Sequence, residues 1–366
     1  MENFTEQLIY FSFFQSIFLL IIYLFSPKKR KKLNSYVIVF VFVLLLGLSG
    51  KIIYISKVFG ENFRFLTISE FAILLFGSTV YLFTKTSLSE KDFSYKNLIH
   101  YIPGVLYSLF VVYYFMLPSD TIIVDRIKSG ELYKTVNILV ALGLSVNIMY
   151  WLFSIKEFIK FKKKLNNEIS YVVKTRFFLN FLMAIGICLF SWLTIYISSF
   201  LDLNIDEKKI RQFIWLAISF IILFIAYYSM VTPDLFILKS LKFKTKYNQS
   251  KLKSEDLEIL KEKLKHIMLS KKPYLNRKLL KTELAEIMGI SNPELARLLN
   301  EKIGMNFFEF VNYYRIKEFI QLSETEEAKN LTFFGLAQEA GFNSKTTFHK
   351  SFKNIMGTSP SKYFNT

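Results

Sequence analysis

The stretch Leu331-Thr332-Phe333-Phe334-Gly335-Leu336-Ala337-Gln338-Glu339-Ala340-Gly341-Phe342-Asn343-Ser344 decides how the last part of the chain folds. Thr332 reads as the cap of a short helix, because its hydroxyl can accept from a backbone N–H left over in the first turn. Ala337 is small enough to let a second helix cross close by. Gly341 falls at the turn, where a positive φ is needed that glycine adopts without a Cβ penalty. Asn343 or Ser344 then caps a second helix that runs to about Ile355, and Gly357 ends it. Phe348 and Phe352, four apart, share the buried face of that helix. Lys345, Thr346, His349, Lys350 and Lys353 face outward.

A weaker copy of the pattern lies upstream. Leu284-Ala285-Glu286-Ile287-Met288-Gly289-Ile290-Ser291 repeats the order of leucine, alanine, glycine, apolar residue and cap. Ser291-Asn292-Pro293-Glu294 is a capping box with proline just inside the helix. The helix continues through Leu295 and Leu299 to Gly304. Its outward residues are Pro293, Glu294, Ala296, Arg297 and Asn300, a less basic set than the downstream one. Leu280 stands where a polar cap is usual, so this unit is expected to start irregularly. Between the two copies, Phe307, Phe310, Val311, Tyr314, Phe319 and Ile320 supply the buried side of a linking helix that would fix their spacing. Two helix-turn-helix units suit double-stranded DNA: the amino-terminal turn of each second helix reaches base edges in the major groove, while lysines neutralise phosphates. The candidate contacts are Ser344, Lys345, Thr346, His349, Lys350 and Lys353 in one unit and Pro293, Glu294, Ala296, Arg297 and Asn300 in the other. A basic helix face taken alone is more often just solvated.

Further residues sharpen this reading. Gly341-Phe342-Asn343-Ser344-Lys345-Thr346-Thr347-Phe348, then Phe352-Lys353, then Gly357-Thr358-Ser359-Pro360-Ser361-Lys362-Tyr363 occur in order, with Tyr314-Arg315-Ile316 and Asn300-Glu301-Lys302-Ile303-Gly304 before them. Over residues 272–366 this arrangement resembles the AraC/XylS family of bacterial transcription regulators. The resemblance implies two recognition helices entering successive major grooves, with transcription control as the output. Leu280 and His349 depart from the usual pattern.

Working further outward, the composition changes. The 366 residues are 52% hydrophobic, with 40 Phe and 21 Tyr, yet carry a formal charge of +18. Apolar bulk and basic excess point to different parts of the chain, a membrane part with basic inner loops and a basic DNA-binding part. Apolar runs at 8–25, 35–48, 63–83, 98–117, 135–155, 177–201 and 213–231 give about seven spans, the second extending toward Ile55. About 20 apolar residues cross a hydrocarbon core of about 30 Å. The expected fold is therefore all-α: a polytopic membrane helix bundle over 1–231, a basic juxtamembrane linker and helix over 232–271, and a tandem helix-turn-helix domain over 272–366. Loops one, three and five and the stretch after the seventh run hold twenty-one Lys and Arg, the opposite loops nine. That bias places the amino terminus outside a bacterial inner membrane and the tail in the cytoplasm. The basic stretch that ends at Lys253 is expected to hug the anionic leaflet. After it, Leu257, Leu260, Leu264 and Ile267 form one helical stripe, which either packs on the next domain or makes a homodimer seam.

Within the bundle, Glu70 is the candidate for sensing a signal ligand or a proton, since a carboxylate at such depth is costly. The alternative is a plain hydrogen bond to a neighbouring helix. Gln15, Asn137, Asn147 and Asn180 read as polar links between helices, and Pro103-Gly104 as a kink. The one cysteine, Cys188, rules out an intrachain disulfide or a cysteine-based zinc site. His100, His266 and His349 form no ligand pattern, so neither metal nor cofactor is expected. No phosphate-cradling glycine loop accompanies His266, which argues against a kinase and leaves no catalytic residue to name. A transporter or receptor with a protein-binding tail is the competing reading. It would call for paired broken segments in two halves, and only Pro103-Gly104 is present.

Overall fold

Runs of Leu, Ile, Val and Phe without internal breakers satisfy their backbone polar groups along their own axis, and the amino-terminal part of the chain is accordingly built of helices. The computed structural model describes residues 2–25, 35–58, 60, 62–88, 94–171, 173, 175–201, 217–228, 254–326, 328 and 331–364. Among them there is no strand beyond an isolated antiparallel bridge between Ile169 and Leu280. The chain divides into two units, one of Met1–Ile159 with Thr175–Leu241, the other of Lys160–Lys174 with Lys242–Thr366.

The first unit contains α1 (Glu2–Phe25), α2 (Ser35–Ser56), a 3-10 stretch (Phe63–Ala72) running into α3 (Ile73–Leu88), and a second 3-10 stretch (Tyr95–Tyr101) running into α4 (Ile102–Val111). A π-turn (Val112–Met116), α5 (Asp120–Lys128), most of α6 (Glu131–Glu168), α7 (Arg176–Phe200) and α8 (Ala217–Tyr228) follow. Among the described residues, six stretches are long and apolar enough to cross a membrane: Glu6–Phe25, Ser35–Ser56, Arg64–Leu88, Tyr95–Met116, Glu131–Glu168 and Arg176–Phe200. They coincide with the first six expected runs. The seventh is represented by the shorter α8; its flanks, the Lys28–Lys32 cluster and the basic stretch ending at Lys253 lie outside the described residues.

Two differences from the sequence reading have clear causes. Helix α6 runs on to Glu168, well past Ile155, because the lysines and glutamate that follow are good helix formers and no Gly or Pro intervenes. The fourth span is segmented as Pro103-Gly104 suggested. Pro103 lies in the first turn of α4, where its missing N–H is harmless, and the residues before it coil more tightly.

Aromatic rings from α2, α3 and α7 form the centre of this unit. Phe181 meets Phe83 edge-on at 5.3 Å and Phe40 at 5.5 Å, and each such pair adds about 0.5–1.5 kcal/mol beyond its buried area. Asn147 links helices as expected, its Nδ2 donating to the Ile73 carbonyl at 3.0 Å and to Gly143 O at 2.7 Å. Asn180 does not, for it lies on the exposed face of α7.

The second unit packs around two cores joined by one helix. It comprises α9 (Ser254–Ser270), α10 (Lys281–Met288), α11 (Asn292–Arg297) continued by a π-turn (Leu298–Ile303), α12 (Phe307–Ser323), α13 (Phe333–Glu339), α14 (Lys345–Met356) and α15 (Pro360–Phe364). The first core joins Leu257, Leu264 and Ile267 of α9 to Leu284, Leu295, Leu299 and the start of α12. The α9 stripe is thus buried within the chain, the first of its two expected uses. The second core gathers Ile316 and Phe319 from the far half of α12 with Leu336, Ala337, Phe342, Phe348 and Phe352.

Candidate DNA-binding interface

Each helix-turn-helix unit is set by local chemistry that the sequence announces. Thr332 accepts from the Gly335 N–H at 3.1 Å and starts α13. Ala337 is fully buried at the crossing. Gly341 makes the turn at φ +92°, and Gly357 ends α14 at φ +75°. In the other unit, Ser291 Oγ accepts from the Glu294 N–H while the Glu294 carboxylate accepts from the Ser291 N–H at 2.8 Å. The irregular start expected at Leu280 is resolved by Glu283, whose carboxylate accepts from the Leu280 N–H at 3.0 Å.

The expected outward residues of α14 are largely where the spacing puts them. Lys345, Thr346, Lys350 and Lys353 are exposed, with Phe348 and Phe352 fully buried behind them. Ser344 caps the helix through its backbone only, and His349 is half-buried with its ring 5.2 Å from Phe348. On α11 the picture is more constrained. Asn300 is exposed, Pro293 and Ala296 are half-buried, Glu294 is held by its capping bond, and Arg297 Nε donates to Glu301 at 2.9 Å.

One node ties the linking helix α12 to the stretch that leads into α10, with the Phe342 ring of the second unit 5.9 Å from the Arg315 guanidinium, and sequence reasoning missed it. Arg315 lies on the buried stripe of α12, four residues from both Val311 and Phe319, and is 1% exposed. Its Nε donates to the Tyr274 carbonyl at 2.8 Å, Nη2 to the Asn276 carbonyl at 2.8 Å and to Ser170 Oγ at 3.1 Å, and Nη1 to the Ser170 carbonyl at 2.6 Å and to Asn312 Oδ1 at 3.2 Å. Burial pulls its pKa down to about 9, which leaves it charged at neutral pH. Nearby, Glu318 accepts from Lys272 at 2.8 Å and from the Tyr274 hydroxyl at 2.7 Å. Burial, then that bond, pushes the Tyr274 hydroxyl above its usual range. The visible signal was a charged residue at an i, i+4 position inside an apolar stripe.

The segment Lys160–Lys174 also belongs here. Lys281 donates to Glu168 at 2.7 Å with both side chains nearly sealed from solvent, and Asn292 Nδ2 donates to the same carboxylate at 3.3 Å.

Glu70, the remaining candidate, lies in the first unit. The Tyr107 hydroxyl donates to it at 2.9 Å, so the carboxylate has a hydrogen-bond partner on a neighbouring helix.

Comparisons with known proteins agree with this architecture at the carboxyl end. A family model described as a helix-turn-helix domain matches residues 284–366. An uncharacterised HTH-type transcriptional regulator of Staphylococcus aureus (strain COL) is 31% identical over 83 residues, which is 22% of this chain and 11% of that relative. The chain thus spans about a tenth of the relative's length. No solved structure matches. Residues 284–366 are thus a helix-turn-helix domain, similar to those of AraC-type regulators as the sequence resemblance implied.

Proposed function

We propose that this chain is a membrane-tethered, one-component transcription regulator, in which the apolar bundle receives a signal and the tandem helix-turn-helix unit binds promoter DNA. What carries the reading is the presence, in one chain, of an AraC-type helix-turn-helix domain and six long apolar helices. The outer faces of those helices support insertion: Leu106, Leu109, Ile187 and Phe190 are all more than half exposed. Helices apolar all round are at home in lipid, whereas water would penalise such surfaces. The loop charges orient the tail into the cytoplasm of a bacterium. Tethering also holds two copies close, so that a homodimer on paired half-sites gains effective concentration. Full-length protein in nanodiscs is expected to retain promoter fragments recovered by genome-wide binding maps. A topology reporter fused after Thr366 that is active only outside the cytoplasm would overturn the reading.

Within it, Lys345, Lys350 and Lys353 take phosphates, while Ser344, Thr346 and His349 meet base edges. In the first helix-turn-helix unit, Pro293, Ala296 and Asn300 face the groove, with Arg297 and Glu294 at its rim. Replacing the three lysines with alanine is expected to lower the salt dependence of binding by about 0.9 for each phosphate no longer neutralised, to a similar degree on every promoter. Thr346→Ala is expected instead to relax preference at one base pair, by about 1–3 kcal/mol. Equal effects of the two changes on salt slope would sink this division.

Glu70 is the sensing residue of the bundle in this proposal. Glu70→Gln keeps an acceptor for Tyr107, so packing is retained while the charge is lost. A promoter reporter is expected to shift by roughly five-fold or more at unchanged protein level. An unchanged reporter would leave Glu70 as a packing partner of Tyr107 only.

A further inference from the structure

The buried ion pair between Glu168 and Lys281 has no part in the function proposed so far, and its location gives it one. Lys281 is the first residue of α10, the helix that crosses the DNA backbone in a helix-turn-helix unit, and Asn292 is the first residue of α11, whose opening residues reach base edges. One carboxylate holds both side chains. A carboxylate taken by an ammonium and an amide uses the same donors that a phosphodiester oxygen would use. The flanking backbone is fixed as well: Ile169 pairs with Leu280, the Ser170 N–H donates to the Leu279 carbonyl at 3.3 Å, and Ser170 Oγ donates to it at 2.8 Å. The docked state leaves Asn292 Oδ1 buried without a partner, so it is not the best state for that amide.

We propose that Lys281 and Asn292 form a further DNA-phosphate site in the first helix-turn-helix unit, and that Glu168 occupies it in the unbound chain as an intramolecular competitor. The proposal rests on the reading of the tail as DNA-binding and adds its regulation. Glu168 is the last residue of α6, whose residues 131–159 belong to the apolar unit. A displacement of that helix therefore carries the carboxylate with it. With Glu168 withdrawn, Lys281 is left buried without a counter-charge and must turn outward, where a phosphate satisfies it.

The test uses full-length protein in nanodiscs and a promoter fragment from the genome-wide map, with the dissociation constant followed against salt. Glu168→Gln is expected to tighten binding roughly five-fold or more and to steepen the slope of log affinity against log salt by about 0.9. Adding Lys281→Met to that variant is expected to return the slope to the wild-type value. Weaker or unchanged binding by Glu168→Gln overturns the proposal. A second variant does not depend on breaking the pair: Ile169→Cys with Leu280→Cys, in a Cys188→Ser background. Antiparallel bridge partners lie about 4.5–5.5 Å apart at Cα, within disulfide reach. Oxidation is expected to clamp the segment and weaken binding, with reductant restoring it. Equal or tighter binding when oxidised overturns the proposal. If wild type and all variants fail to bind any promoter, the DNA-binding reading falls and this inference with it; if wild type binds and Glu168→Gln matches it, only the inference falls.

Discussion

Replacing Gly341 with alanine is expected to destabilise the second helix-turn-helix unit by on the order of 2–5 kcal/mol, a large part of the 5–15 kcal/mol typical of a domain. Two penalties combine. Gly341 sits at φ +92°, where an L side chain costs roughly 1–2 kcal/mol. A Cβ there would also come within 2.3 Å of the Tyr274 carbonyl oxygen and 3.0 Å of Leu275 Cα. Those are backbone atoms that cannot rotate away, so the turn itself must shift, at about 1–3 kcal/mol more. The displaced turn would also press on Arg315, whose Nε lies 3.1 Å from that position. Hydrogen exchange of α13 and α14 peptides in the full chain measures the outcome, with the larger loss of protection expected there and a smaller one in α10. Gly335→Ala is the control. Its Cβ would meet nothing nearer than Thr332 Oγ1 at 3.4 Å, and inside a helix alanine is favoured over glycine by roughly 0.5–1 kcal/mol. Opposite signs are expected for the two substitutions; the same sign would refute the backbone account.

Arg315→Met is expected to loosen both helix-turn-helix units at once, by roughly 3–5 kcal/mol. Methionine fills much of the same space but leaves the carbonyls of Ser170, Tyr274 and Asn276 without the donors they have now. An unpaired buried polar group costs about 1–3 kcal/mol. Arg315→Lys is expected to rescue only in part, because an ammonium cannot span the fork of acceptors that the planar guanidinium reaches. Faster hydrogen exchange is expected in α10 and α14 together, with promoter binding abolished as the spacing of the two recognition helices becomes variable. If exchange accelerates in one of them alone, Arg315 is a local support and not the tie between the units.

How much of this was legible beforehand follows from the range of each interaction. Helix starts and stops at Thr332, Ser291, Gly304 and Gly357 depend on groups within a few residues of one another, so the sequence displays them directly. The same holds for the apolar runs, since hydrophobicity over a window is a local property, and for the i, i+4 spacing that buries Phe348 and Phe352 behind exposed lysines. The tail's fold class, its two units and the outward placement of Lys345, Thr346, Lys350 and Lys353 on α14 were therefore settled by sequence, whereas the half-burial of His349 against Phe348 was not.

Tertiary structure alone decided the rest. Arg315 reaches Ser170 across 145 positions and Lys281 reaches Glu168 across 113, and no pattern along the chain connects such pairs. Helix α6 ends where a carboxylate meets a lysine from a distant helix, not where its apolar run stops. Buried charges find partners through three-dimensional packing, because removing them from water is tolerable only where donors and acceptors converge.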